Sequence, residues 1–500
     1  MRLHRFHGGL KLPEHKAEST AAPIRACPLP ARLAVPLVQH AGDAAEACVM
    51  PGRRVRRGER IGSVGGVRGC DVHAPAAGTV IAVEPRPLAH PPGIDALHVL
   101  IEPDGSDEAV VLPPLDWQTA ARGELLARVR DAGIAGLGGA GFPTAEKLAV
   151  PRETLILNGA ECEPYIACDD RLLRERADQV LRGGQALRRI VGAERVLLAI
   201  EESMAEALKA AHAAVRALGD DGIEVVAVPT IYPEGGERQL IRVLTGREVP
   251  RGGLPRDIGV IVQNVATAAA VWRAVALGEP LTRRIVTVTG RGVARPGNYE
   301  VAFGTPVSHL IAQAGGYTPE AARLLLGGPM MGVALPHDDF PIGKTSNCVL
   351  VLAQDDVRDA APEMPCIRCG ECARVCPARL LPQQLLWHVR AENWERARAD
   401  GIFDCIECGC CDLVCPSHIP LVQHFRYAKT ELRHRDREAA EAAAAKARFQ
   451  ARKARLEREE AERAARMAAR KAQAATPDAV AAAIERARAR RQSSPQESQE

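Results

Sequence analysis

Cys366-Ile-Arg-Cys369-Gly-Glu-Cys372-Ala-Arg-Val-Cys376-Pro377 and Cys405-Ile-Glu-Cys408-Gly-Cys410-Cys411-Asp-Leu-Val-Cys415-Pro416 are two copies of one pattern. Each reads C-x2-C-x2-C-x3-C-P, the spacing with which thiolates wrap a cubane [4Fe–4S] cluster. Where two such runs occur together, three close sulfurs hold one cube and the fourth reaches the other. The spacing therefore predicts one cluster on Cys366, Cys369, Cys372 and Cys415, and a second on Cys405, Cys408, Cys411 and Cys376. Zinc is the competing reading, but it takes thiolates as separated C-x2-4-C pairs, and a repeated three-plus-one run fits it poorly. Cys410 lies off the spacing and reads as a bystander packed near a cluster. Between the runs, Leu381, Leu385, Leu386 and Val389 are spaced for one helix face, and 393–399 reads as a second short helix. The clusters are thus expected among helices, in an α-helical two-cluster ferredoxin domain over 362–425.

Five hundred residues exceed a single core, and a 46% hydrophobic share is enough to build several. A net charge of +3 is too slight to argue for nucleic acid, and no groove-reading or base-stacking motif is present. Of the fifteen cysteines, those outside the runs are scattered, and their default role is a small buried apolar residue. Iron–sulfur ligands point to a reducing compartment. The N-terminus has no signal-like apolar region, and no apolar run approaches the ~18 residues that span a bilayer. The expectation is a cytoplasmic chain, peripheral to any membrane.

The chain reads overall as a multidomain α/β protein. Residues 1–115 form an N-terminal segment and a β sandwich: short β-branched runs alternate with Gly and Pro, as in Pro51-Gly52 and Gly78-Thr-Val80. The pattern resembles the lipoyl-type sandwich hybrid. Its expected hairpin, Arg68-Gly-Cys-Asp-Val-His73, offers no lysine for a prosthetic group, so a structural role is expected. Residues 120–275 alternate short apolar runs at 155–157, 196–200, 224–228 and 258–262 with helical stretches, the signature of a doubly wound α/β domain. Residues 283–355 suggest a β-grasp, ligand-binding module, with a helix over 307–314 stopped by Gly315-Gly316. Residues 429–500 are rich in Ala, Arg and Glu and read as a solvated helical tail with a disordered end.

A second chemical feature is Gly136-Leu-Gly138-Gly139-Ala140-Gly141-Phe142-Pro143-Thr144-Ala-Glu-Lys147. Glycines let the backbone approach a phosphate, a following helix presents free N–H groups, and Lys147 adds a cation. Alone, the pattern fits a tight packing turn equally well. Three further segments change this: Asn158-Gly-Ala160-Glu161-Cys162-Glu163-Pro164; Tyr232 with Gly235, Glu237 and Leu240; and Gln263-Asn264-Val265-Ala266-Thr267. In this order the four resemble the flavin- and NADH-binding subunit of respiratory complex I. Leu137 stands where that family has arginine, and Ala160 where it has aspartate. The order of all domains, from His7-Gly-Gly to the Ala-rich tail, is similar to the C subunits of Rnf-type ion-translocating electron transport complexes.

The resemblance implies two [4Fe–4S] clusters, FMN, and NAD(H) as substrate. It implies phosphate binding near Gly136, Gly138, Gly139 and Lys147. Asn158, Tyr232, Asn264 and Thr267 would contact the flavin ring or ribityl chain, Gly235 lies in the same motif, and Glu161, Glu163 and Glu237 would shape the nicotinamide side. No residue need act as acid or base, because the cofactor carries the chemistry. The implied partners are the other subunits of a membrane-bound complex, including a ferredoxin-like one, at the cytoplasmic side of the inner membrane. The implied activity is ferredoxin:NAD oxidoreduction coupled to ion transport. A cobalamin reductase of similar architecture, or a non-catalytic electron relay, remains open at this point.

Overall fold

The computed structural model describes residues 1–65, 68–89, 94–220, 222–357 and 361–493. Two units can be distinguished, residues 1–426 and residues 427–500.

In the first unit, a β sandwich packs a four-stranded antiparallel sheet, ordered Leu33–Pro36, Asp95–Pro103, Gly78–Pro87, Arg54–Val55, on a three-stranded sheet of Glu46–Ala47, Arg60–Ser63 and Val72–His73. Alternating inward residues such as Val35, Ile61, Val80, Val99 and Ile101 fill its core. The β-branched runs between Gly and Pro thus make the sandwich that the sequence predicts.

The next domain is built on four parallel strands, Thr154–Gly159, Arg195–Glu201, Ile223–Val228 and Val260–Asn264. The first three contain the apolar runs read from sequence; of the fourth run, 258–262, only the part from Val260 is strand, because Ile258 ends a 3-10 turn closed by Gly259. Side chains alternate between two cores. Leu155, Leu157, Val196 and Leu198 face the helices Arg122–Asp131, Cys168–Val191, Ala205–Leu218 and Val265–Ala276. Ile156, Leu197, Ala199 and Val262 face the helix Glu237–Thr245, with Leu3 and Phe6 added from the N-terminus. Covering both faces is the physical reason these strands are apolar throughout. Helices Cys168–Val191 and Val265–Ala276 meet so closely that a Cβ on Gly183 would lie 1.9 Å from the Ala268 carbonyl oxygen. Gly183→Ala gains about 1 kcal/mol in helix propensity, but overpacking of this kind costs about 1–3 kcal/mol and here strikes backbone. A lower urea midpoint is expected, checked by equilibrium unfolding followed by circular dichroism.

A six-stranded mixed sheet follows, ordered Arg25–Ala26, Gly297–Ala302, Arg283–Thr289, Cys348–Ala353, Ala321–Leu326, Val333–Ala334, with the helix Val307–Gln313 on it. Its edge strand comes from far upstream. Residues before Leu33 have no sheet of their own and pair instead with later domains.

The cysteine domain is helical, as expected: Glu371–Arg374, Pro382–Arg390, Trp394–Ala399 and Cys410–Leu413. Leu385, Leu386 and Val389 are buried, whereas Leu381, expected on the same face, precedes the helix and is 56% exposed. The two cysteine runs repeat one backbone path. Arg368 and Glu407 have φ of 59° and 58°, and Gly370 and Gly409 both have 79°.

The second unit contains the greater part of the helix Leu421–Ala474 and the helix Pro477–Gln492. From residue 433 onward almost every described side chain is exposed, as its polar composition requires. No helix among the described residues is long and apolar enough to cross a membrane.

Candidate functional site

In chain order the parallel strands run third, second, first, fourth across the sheet. The order reverses between Thr154–Gly159 and Val260–Asn264, and ligands of open α/β sheets bind beyond the carboxyl ends of strands at such a switch point. Asn158 and Asn264 are register partners at that edge. Asn158 donates from Nδ2 to the Gly235 carbonyl at 2.9 Å. Asn264 donates from Nδ2 to Asp169 at 2.6 Å, and its Oδ1 accepts from the Ala266 and Thr267 N–H groups, capping the helix Val265–Ala276.

The glycine loop folds against these residues. The Thr267 hydroxyl accepts from Leu137 N at 2.9 Å, and Arg284 donates to the Leu137 carbonyl at 3.0 Å. A Cβ on Gly138 would lie 3.2 Å from Asn264, while Gly139, with φ of 107°, faces open space. The helix after the loop, Thr144–Leu148, has only five residues, so its dipole is short. Lys147, expected at a phosphate, is ion-paired to Glu237 at 2.6 Å; both side chains are partly exposed.

The acidic segment divides its roles. Glu161 is buried and accepts from the N–H groups of Asp169 and Asp170 at 3.0 and 3.1 Å, at the first turn of Cys168–Val191. Helix N–H groups and the macrodipole favour an anion there. Glu161, Cys168 and Asp169 place their ligand-type atoms within 4.8 Å of one another. Burial, then the Glu161 charge, pushes the Asp169 carboxyl up to about 7, against its Asn264 bond. Burial likewise raises Glu161, opposed chiefly by Lys16. Two buried carboxyls this close favour holding a proton between them. Glu163 lies apart, accepting from Met330 and Met331 N–H at 2.8 and 3.0 Å. Tyr232, expected against the flavin, donates its buried hydroxyl to the Cys408 carbonyl at 2.6 Å. Gly235 abuts the acidic segment, where a Cβ would lie 2.2 Å from the Ala160 carbonyl oxygen.

Sequence reading missed Asp169, Arg284 and Lys16. Asp169 carries a signal, since an acidic pair opens the helix. Lys16 and Arg284 carry none, because they arrive from other domains. A cleft adjoins Leu137 on the side of Arg176, Arg273 and Glu300. Two of its arginines are ion-paired, Arg176 to Glu300 at 2.8 Å and Arg273 to Glu279 at 2.5 Å. The strand ends and the open face of Gly139, rather than this interdomain seam, locate the candidate site.

The cysteines form two sets. Cys366, Cys369, Cys372 and Cys415 line one small pocket. Cys376 is electrostatically close to Cys408 and Cys411, and Cys411 to Cys405. Cys415 is thus placed beside the first run and Cys376 beside the second. Cys369 is exposed, whereas Cys376, Cys408 and Cys411 are buried, so the first set is the outer and the second the inner. Cys410 is fully buried beside Cys408. The all-thiolate chemistry of both sets fits cubane clusters.

Four sequence families match. They are the RnfC barrel sandwich hybrid domain over 4–106, the Nuo51 FMN-binding domain over 129–273, the SLBB domain over 285–334 and the 4Fe-4S dicluster domain over 364–419. The C subunits of ion-translocating oxidoreductase complexes are similar along the chain. That of Erwinia tasmaniensis is 49% identical over 98% of this chain and 61% of its own length. That of Pseudomonas aeruginosa is 50% identical over 98% and 66%. That of Yersinia pestis bv. Antiqua is 49% identical over 91% and 73%. The chain thus spans less than two thirds of the first two relatives. An NAD+-reducing [NiFe]-hydrogenase structure, air-oxidized, is 23% identical at a TM-score of 0.44, covering 56% of this chain and 54% of that one.

Proposed function

The chain belongs to the family of ion-translocating oxidoreductase complex C subunits, and on that premise we propose that it passes electrons between NAD(H) and partner subunits of a membrane complex, through FMN and two [4Fe–4S] clusters. The finer reading is ferredoxin:NAD oxidoreduction coupled to ion movement, with the chain peripheral at the cytoplasmic side and the ion path in partner subunits.

The observation that carries this reading is a single contact between the two candidate sites. Tyr232 follows the parallel sheet's third strand, and its hydroxyl meets the peptide of Cys408 in the inner cysteine set. Flavin, when bound, exchanges two electrons with a nicotinamide and one at a time with a cluster. The protein's own residues position and insulate. Gly138 and Gly139 allow close backbone approach, and Asn158 and Asn264 hold the strand ends in register. Glu161 and Asp169 keep a proton at the buried edge, and Lys147 with Glu237 forms a charged rim. The eight cysteines Cys366, Cys369, Cys372, Cys376, Cys405, Cys408, Cys411 and Cys415 ligate iron.

Anaerobic purification should give about eight irons with matching sulfide and one FMN, and NADH should elicit reduced-cluster EPR signals. Zinc in place of iron would defeat the cluster reading. Intact clusters with no flavin, and no recovery on adding FMN, would defeat the nucleotide reading.

A further inference from the structure

The first twelve residues have no core of their own. They lie along the seam between the α/β domain and the inner cysteine set. His4 N donates to the Val243 carbonyl at 2.9 Å, and Leu10 exchanges two backbone bonds with Tyr232 at 2.7 and 2.8 Å, all on the α/β side. On the cysteine side, Gly9 N donates to the Val375 carbonyl at 3.0 Å, and His7 Nδ1 to the carbonyl of Cys376 itself at 3.0 Å. Leu10 and Leu12 pack with Tyr232, Cys408 and Cys410. The chain passes so tightly that a Cβ on Gly8 would lie 2.5 Å from the Val375 carbonyl oxygen, and one on Gly9 2.8 Å from that of Tyr232. Gly8 and Gly9 also hold φ of 72° and 80°, where side chains are strained.

We propose that His7-Gly8-Gly9-Leu10 is a strap that positions the inner cluster: it fixes the peptides around Cys376 and joins them to the strand-end loop that carries Tyr232. The inference rests on the cysteine sets holding clusters. Cluster potential responds to hydrogen bonding and solvent exposure around the ligands. The strap bonds the carbonyls of Val375 and Cys376 and packs Leu10 and Leu12 beside Cys408 and Cys410, and none of its hydrogen bonds reaches Cys366, Cys369, Cys372 or Cys415 among the described residues. His7, Gly8 and Gly9 are therefore positioning residues, and their influence falls on one cluster of the two.

The test uses the full chain, purified anaerobically, with iron and sulfide assays and an EPR-monitored redox titration. His7→Leu removes the donor. His7→Asn keeps an amide near the Nδ1 position. Gly8→Ala drives a methyl into the Val375 carbonyl, and Gly52→Ala, at φ of 88° with nothing within 4 Å, is the control for backbone strain alone. The expected result is a shifted midpoint and altered line shape for one cluster in His7→Leu and Gly8→Ala, recovery towards the parent in His7→Asn, and no change in Gly52→Ala. Two clusters unchanged in His7→Leu, or both shifted equally, would overturn the strap. Parent protein without two iron clusters would instead refute the reading beneath it.

Discussion

Cys376→Ala is expected to leave about four of eight irons, and the lost cluster is the one whose other ligands lie in the second run. Paired substitutions read this directly. Cys376→Ala combined with Cys408→Ala removes two ligands of the same cluster, so iron stays near four. Cys376→Ala combined with Cys369→Ala removes a ligand from each, so iron falls towards zero. If each run held its own cube, the two outcomes would exchange. The physical basis is the crossing of the fourth cysteine: Cys415 lines the cavity of the first run, and Cys376 lies by the buried sulfurs of the second. Non-additivity between residues that share a centre makes iron content a clean readout.

Lys16→Met is expected to cost about 3 to 5 kcal/mol at alkaline pH, the scale of removing one partner from a buried ion pair. Lys16 is 7% exposed and Glu201 0%, with Nζ 3.8 Å from the carboxylate. Lys16 also donates to the Glu161 carbonyl. Neither Glu201 oxygen has a hydrogen-bond partner among the described residues. Burial pushes the Glu201 carboxyl from 4.5 up to about 7, opposed by Lys16 and reinforced by Glu14, Glu161 and Asp170. The folded state therefore binds this proton more tightly than the unfolded state does. The resulting stabilisation is complete below about pH 4.5 and is lost as pH rises through about 7. Without Lys16 the carboxyl rises further and the loss continues to higher pH. Urea midpoints of parent and variant should differ little at pH 5 and widely at pH 8. A constant gap across that range would show that Glu201 is not the group left uncompensated.

The same contrast between local and distant information runs through the site. Asn158, Gly235, Asn264 and Thr267 are legible because each belongs to a short segment, and the structure brings the segments together at one sheet edge. Their contacts are not legible. Asn264 bonds Asp169, Glu161 serves the first turn of a helix, and Lys147 pairs with Glu237, since each partner is set by packing between elements. Tyr232 shows this most clearly: its motif points to the nucleotide, and the structure adds that its hydroxyl reaches a cysteine peptide. The N-terminal segment, which the sequence reading groups with the sandwich over 1–115, also bonds to the parallel sheet's domain, the mixed sheet and the cysteine domain, contacts that no local pattern announces.

By itself the sequence determined the elements whose causes are local. The cysteine spacing selects iron–sulfur ligation, the apolar runs between helical stretches select parallel strands, and the polar Ala/Arg/Glu stretch selects a solvated helix. Only the tertiary structure decided which cysteine set is inner and which outer, which cation neutralises the buried carboxylates, and which segment spans the seam between the two sites. Those are matters of residues far apart in the chain meeting at one point. Spacing and periodicity report on neighbours along the chain, whereas burial and electrostatics depend on neighbours in space.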